Sequence, residues 1–221
     1  VATDPRQTEE APRDWVAWHA PYDVPGSRLA RRLAVVRAQL LQALDQRTGE
    51  VALISMCAGQ GRDVLPVLAE HPRRVDVRAL LVELDERNAD TARETAAQSG
   101  LNRVEVRVAD AALTENYAGY VPADIILACG IFGNISKEDI KRTVEQLPSL
   151  AAPTATVLWT RGRFAPDDRT PDEIREWFAA AGFEEVAYDA PEDSMFSVGM
   201  NRLAVEPRPF ERGVKMFTFF R

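Results

Sequence analysis

Two glycines separated by one residue, followed at a distance by two isolated carboxylates, are the features of this sequence with the clearest chemical meaning. The glycines are Gly59 and Gly61 in Cys57-Ala58-Gly59-Gln60-Gly61, and the carboxylates are Glu83 and Asp110. Glycine lets a backbone bend tightly and approach a ligand where a Cβ would collide. A helix opening just after such a turn favours a carboxylate or phosphate at its N-terminus. Glu83 ends an apolar run about twenty residues past the turn, where a carboxylate accepts hydrogen bonds from both hydroxyls of a ribose. Asp110 follows a third apolar run and suits an adenine amino group, with the Ala111 amide beside it as a donor. Turn, ribose acid and adenine acid describe a nucleoside pocket. The third glycine of the dinucleotide pattern G-x-G-x-x-G would fall at Val64, so that fingerprint is incomplete.

At these residues the chain resembles the class I S-adenosylmethionine-dependent methyltransferases, from about Glu50 to the C-terminus. Cys57 to Gly61 resembles their Gly-rich first motif, with Cys57 in place of the usual acidic residue and Ala58 a common neighbour. Val82-Glu83-Leu84-Asp85 resembles the ribose-binding second motif, and Asp110 matches the adenine-contacting acid. Cys129-Gly130-Ile131-Phe132-Gly133-Asn134 stands where the fourth motif borders cofactor and substrate. It departs from the Asn/Asp-Pro-Pro-Tyr form of amino-methylating members. The resemblance implies S-adenosylmethionine as cofactor, with contacts from Cys57, Ala58, Gly59, Gln60, Gly61, Glu83, Leu84, Asp110, Ala111, Cys129 and Gly130. It implies a doubly wound α/β fold whose mostly parallel seven-stranded sheet carries an antiparallel C-terminal edge. Turn, loop and the Trp159-Thr160-Arg161-Gly162-Arg163 segment resemble a bacterial subgroup.

Methyl transfer from a sulfonium is an in-line displacement on an activated carbon, so alignment and exclusion of water carry much of the catalysis and a base is optional. For an alcohol or phenol acceptor the candidate base is His19, because imidazole titrates near neutrality and His19 lies in an aromatic segment. There, Trp15, Trp18, His19 and Tyr22 admit two readings: a lid over cofactor and substrate, or an anchor for the N-terminal arm. Asn134 is a candidate substrate contact. Arg161 and Arg163 are either a carboxylate clamp or ordinary solvated side chains. Asp63 either complements a helix dipole or meets the methionine part of the cofactor. Arg28 is either on a solvated helix face or near the cofactor carboxylate. Cys57 and Cys129 are read as small buried hydrophobes rather than nucleophiles, and His71 as a surface loop residue.

The elements that must hold these residues follow from periodicity. Ser27 caps a helix whose Leu29, Leu33, Val36, Leu40 and Leu44 recur at spacings of three and four. Past Gly49 the pattern becomes strand and helix in alternation, which divides the chain into an arm and amphipathic helix over 1–48 and a Rossmann-like domain over 49–221. Strands are expected at 51–55, 77–83, 104–109, 123–129 and 154–160. Ser136 and Asp139 have capping-box spacing, and Thr170-Pro171-Asp172-Glu173 reads as N-cap, first helical residue and return bond. The last forty residues read as extended segments without a long helix between them.

Composition bounds the function. With 221 residues, 46% hydrophobic and 28% charged, the chain suffices for one well-buried core. A formal net charge of -7 argues against a broad polyphosphate-binding face, so nucleic acid is a poor partner. Cys57 and Cys129 have no metal-ligand spacing, so neither a metal site nor a disulfide framework is expected. No apolar run reaches the roughly 20 residues that span a bilayer. The polar opening over 1–14 reads as irregular rather than as a signal peptide, which points to the cytoplasm. Arginine far outnumbers Lys137, Lys141 and Lys215, a bias of GC-rich bacterial genomes. The expected activity is methylation of a small-molecule acceptor at oxygen or nitrogen, with a homodimer allowed. The alternatives are an NAD(P)-dependent oxidoreductase and a non-catalytic S-adenosylmethionine-binding scaffold.

Overall fold

A computed structural model describes residues 14–163, 165 and 167–220. Its strands are β1 (Val51–Met56), β2 (Val77–Glu83), β3 (Val104–Val108), β4 (Ala123–Ala128), β5 (Ala151–Gly162), β6 (Phe183–Asp189) and β7 (Phe196–Leu203). Its helices are α1 (Trp15–Trp18), α2 (Arg28–Asp45), α3 (Leu65–Glu70), α4 (Glu86–Gln98), α5 (Lys137–Gln146) and α6 (Thr170–Ala180). The strands form one seven-stranded sheet in the order β3-β2-β1-β4-β5-β7-β6. The β1–β2, β2–β3, β1–β4 and β4–β5 pairs are parallel, whereas β7 runs antiparallel to both β5 and β6. The expected doubly wound sheet with an antiparallel C-terminal region is present, with β7 lying one strand in from the edge formed by β6.

Burial explains why these runs become strands. β1 is buried at every position, and β2 and β4 at all but one, as a parallel sheet covered on both faces requires. Ile54, Met56, Ile126 and Trp159 face a layer that includes Ile140 and Val144 of α5 and Ile174 and Phe178 of α6. Leu53, Leu81, Ile125 and Leu158 face the other layer, with Val36, Leu40 and Leu44 of α2, Leu65 and Leu68 of α3, and Ala92 and Ala96 of α4. Val36, Leu40 and Leu44 of the apolar stripe read from the sequence of α2 therefore share in covering this second face. Trp159 fills the first face, and its indole donates to Asn201 Oδ1 at 2.8 Å. A Cβ on Gly199 would stand 2.2 Å from that ring.

Local signals fare unevenly. Ser27 Oγ accepts from the Ala30 amide and Ser136 Oγ from the Asp139 amide, as their positions predict. Asp139, however, does not close a capping box. Its carboxylate pairs with Arg142 and accepts from the Thr218 amide, tying down the end of the chain. Thr170 is the first residue of α6 rather than its cap, and Asp168 Oδ1 takes the Thr170 amide at 3.0 Å. Glu173 reaches Lys137 of α5 instead of bonding back. His71 is not a surface residue: it is 3% exposed, with Nε2 toward Asp45 and Nδ1 accepting from the Arg73 amide. The expectation for the opening segment lies, up to residue 13, outside the described residues. No described helix is long and apolar enough to cross a membrane.

Candidate cofactor and acceptor site

The strand order reverses between β1 and β4, so the loops after β1, β2, β3 and β4 open around one crevice at the carboxyl ends. The turn after β1 is held in left-handed steps, with φ of 50° at Cys57, 54° at Gly59 and 68° at Gly61. The two glycines serve different ends. A Cβ on Gly61 would lie 2.7 Å from Leu65 and 2.9 Å from Leu81, so Gly61 permits close packing of α3 on β2. A Cβ on Gly59 would instead meet His19 Nε2 at 2.5 Å, so Gly59 is the one that faces the crevice.

Glu83 is 8% exposed and ends β2. Its Oε2 accepts from the Gly59 amide at 2.7 Å and its Oε1 from the Asp85 amide at 2.9 Å. Two backbone donors thus fix a carboxylate that has lone pairs left over for a ligand, and they join the turn after β1 to the end of β2. Leu84, beside it, is 69% exposed. Asp110 folds into the turn after β3, where its Oδ1 accepts from the Ala112 amide at 2.9 Å. Ala111 is buried, and its carbonyl accepts from the Tyr117 phenol. The Gly130 amide donates to Thr160 Oγ1, and its carbonyl accepts from the Asn134 side chain at 2.8 Å. Asn134 therefore braces the loop after β4. Gln60 donates to Asn88 Oδ1 and accepts from Arg62.

Asp63 is one of four described residues with a buried side-chain polar atom that lacks a hydrogen-bond partner, in its case Oδ1. Burial pushes its carboxyl up to about 6 from the usual 3.8, against the pull of its own and the Val64 amide and of Arg37 and Arg32. Arg32, which lies off the apolar stripe of α2, donates to Tyr22 Oη at 2.7 Å. Arg28 is exposed. Burial also pushes the thiols of Cys57 and Cys129 well above their usual range, which fits small hydrophobes and not nucleophiles. Cys57 packs on the α5/α6 layer and Cys129 on the other, because the left-handed φ of Cys57 breaks the strand alternation.

The arm before α2 lies across the turn. Asp23 forms a two-pronged contact with Arg62, and Asp14 pairs with Arg87 of α4. His19 stacks on Tyr22 with centroids 5.7 Å apart, and its Nδ1 lies 2.6 Å from the Trp15 carbonyl. A carbonyl only accepts, so Nδ1 carries the ring proton and Nε2 holds a lone pair toward Gly59. Burial lowers the His19 pKa from the usual 6.5, opposed by that carbonyl and by Glu83, leaving a neutral ring at pH 7. The Trp15 ring meets Phe219 edge-on at 5.8 Å. The expectation for the Trp18 side chain lies outside the described residues. Arg161 is half-buried near Asp168, 3.8 Å away, and donates to the Gly162 carbonyl. Nothing in the sequence patterns signalled Arg32, Arg62 or Phe219, since each acquires its place only when distant segments meet.

Among the described residues no group of His, Cys, Asp or Glu is arranged to hold a metal. The residues present do fit S-adenosylmethionine. Gly59 presents bare backbone to the crevice beneath the His19 ring, Glu83 is fixed with spare lone pairs, and Asp63 carries an unsatisfied oxygen. Among solved structures, an O-methyltransferase family protein from Burkholderia thailandensis matches with a TM-score of 0.65 at 16% identity, over 86% of this chain and 59% of that one. The CurJ carbon methyltransferase matches at 0.68 and 14%, over 87% and 59%. Magnesium protoporphyrin IX methyltransferase from Synechocystis PCC 6803, with bound SAH, matches at 0.60 and 11%, over 85% and 93%. The chain thus spans 59% of the length of the first two, and these likenesses concern the fold. A search of curated proteins returns no match. The family described as "Putative methyltransferase" matches residues 26–170, from the start of α2 to the start of α6, and the chain belongs to that methyltransferase family.

Proposed function

We propose that the protein is an S-adenosylmethionine-dependent methyltransferase acting on a small-molecule acceptor at oxygen or nitrogen. The observation that carries this reading is the bond from the Gly59 amide to Glu83 Oε2, which joins the Gly turn and the ribose acid into one preorganised unit. Glu83 receives the ribose hydroxyls, Asp110 the adenine amino group and Asp63 the ammonium of the methionine part, with Leu84, Gly130 and the backbone from Cys57 to Gly61 around them. When bound, S-adenosylmethionine would supply a methyl carbon activated by its sulfonium, open to in-line attack by the acceptor as the carbon–sulfur bond breaks and S-adenosylhomocysteine leaves. His19 takes the acceptor proton at Nε2, whose lone pair faces the turn. The arm over 14–23 acts as a lid: it rests on Gly59, yields to the cofactor and closes again to exclude water. Trp15, Tyr22 and Asn134 border the acceptor, and Arg161, which also lies beside Asp168, is the contact for an anionic one.

Within the segment 1–48 this assigns the arm to closure and the amphipathic helix to covering the sheet, with the region 49–221 carrying catalysis. Two unbridged cysteines accord with the reducing cytoplasm of a bacterial cell, and a homodimer is allowed. Calorimetry with S-adenosylhomocysteine and with NADH tests the cofactor, and a panel of acceptors read by release of S-adenosylhomocysteine tests turnover. Binding of the first ligand with turnover of an acceptor is the expected result. Binding of NADH alone would mark an oxidoreductase, and binding without product across the panel would mark a scaffold.

A further inference from the structure

The end of the described chain, over 212–220, is built onto the loops after β3 and β4. Val214 exchanges bonds with Thr114, the Met216 amide donates to the Ala112 carbonyl, the Thr218 amide to Asp139, and the Phe220 amide to the Asn134 carbonyl. Met216 and Phe217 are buried. This tail is therefore fixed to the loops after β3 and β4 by backbone bonds on both sides. Phe219 is held edge-on against Phe217 at 5.6 Å and meets the Trp15 ring at 5.8 Å with an interplanar angle of 68°. On the other side of that contact, the Trp15 carbonyl accepts a hydrogen bond from His19 Nδ1–H, and His19 Nε2 faces Gly59.

α1 has only four residues, too few to hold a helix by its own hydrogen bonds. Its place must come from what it touches. The ion pair from Asp14 to Arg87 is well exposed on both partners and contributes little to fixing it. The aromatic contact is apolar, directional and anchored in the core through Phe217.

We propose that Phe219 is a positioning residue for His19: the tail fixes the Trp15 ring, and Trp15 through its carbonyl fixes the tautomer and orientation of the imidazole. The inference rests on the reading of His19 as the base. Burial opposes protonation of that imidazole most; among the described residues the Trp15 carbonyl and, at the end of β2, Glu83 and Asp85 favour it, Arg62 of the Gly turn opposes it, and the Tyr22 ring covers one face. Without Phe219, the Trp15 ring loses this aromatic contact with the core, the imidazole gains solvent, and the Trp15 carbonyl no longer selects the Nδ1–H form.

His19 and His71 are the two histidines of the chain, so 15N-imidazole NMR reads both without any acceptor. In the wild type, His19 is expected as the Nδ1–H tautomer with a titration midpoint below that of an ordinary imidazole. In Phe219→Ala, it becomes a mixture with the Nε2–H form, and its midpoint rises toward 6.5, the usual value. Phe219→Tyr keeps the wild-type tautomer and midpoint. His71, held by Asp45 and the Arg73 amide, stays unchanged in every folded variant and serves as the internal control. Should Phe219→Ala lose the His71 signal by unfolding, Phe219→Leu carries the test, with the same change in smaller measure. An unmoved tautomer and midpoint in a folded Ala or Leu variant would overturn the proposal. A wild-type His19 already in the Nε2–H form would overturn the base reading itself, and that failure is visible before any variant is made.

Discussion

Asp63 sits where a carboxylate is costly and useful at once. Its folded pKa of about 6 stands above the usual 3.8 because burial disfavours the charged form. The sign follows from linkage: a raised folded pKa contributes stability that is fully present below the unfolded value and is lost as pH rises through 6. Above that pH the buried charge costs on the order of 3 kcal/mol, from about 1.4 kcal/mol per pKa unit. Asp63→Asn removes that cost, so the unliganded variant should melt above the wild type at pH 7.5 and converge with it near pH 4. If Asp63 receives the cofactor's ammonium, the same variant binds S-adenosylhomocysteine about tenfold or more weakly at pH 7.5, as for loss of a charged hydrogen bond. Wild-type affinity should also fall between pH 7 and 5. Calorimetry across that range checks both, and equal affinity for the two proteins would remove Asp63 from the pocket. Glu83 was legible because its meaning comes from position at a strand end, whereas the sequence offered two roles for Asp63 and showed nothing of Arg32 beside Tyr22. The two glycines of the turn also looked alike in sequence. Only packing separates Gly61, which accommodates Leu65 and Leu81, from Gly59, which faces His19.

Elements buried on both faces were the easiest to read, since β1, β2 and β4 are near-continuous apolar runs and their ends fall within a residue or two of expectation. Capping signals were less faithful, because a side chain near a helix start has more than one partner within reach. Asp139 is the instructive case: the spacing from Ser136 is that of a capping box, but its carboxylate serves the tail, accepting from the Thr218 amide at 2.8 Å. The extended character of 215–220 was legible, but its destination was not, because backbone bonds to Ala112 and Asn134 leave no mark on side-chain pattern. Asp139→Ala should lower stability by about 1.5–3 kcal/mol, the range for a hydrogen bond to a charged group. Urea denaturation measures this, and hydrogen exchange should show Thr218 losing protection. Arg142→Ala, which removes a half-exposed partner of the same carboxylate, should cost no more than about 1 kcal/mol. Equal losses in the two variants would mean that Asp139 matters to α5 and not to the tail.

At the scale of the molecule, the two ends of the described chain converge on one edge of the crevice. The arm enters before α2 and crosses the Gly turn, while the tail leaves β7 and crosses the loops after β3 and β4; Trp15 and Phe219 are where they touch. The strand order explains why the convergence falls there, since reversal between β1 and β4 puts every functional loop on the same rim. Sequence alone left the arm as either lid or anchor, and the contacts it makes are mixed. Asp23 with Arg62 is a largely exposed pair of the kind that breaks and reforms readily, while Trp15 on Phe219 is apolar and anchored. A lid held this way should hinge about its Trp15 end and open at its Tyr22 and Asp23 end. Hydrogen exchange with and without S-adenosylhomocysteine distinguishes the two roles. If the arm is a lid, the ligand slows exchange over 57–61 and 83–85 and, in the same titration, over 19–24, with the larger change toward Asp23. If it is an anchor, exchange over 19–24 is the same in both states while the turn alone is protected. The amides of β7, buried next to β5, should remain unchanged in either case and report that the sheet itself takes no part in closure.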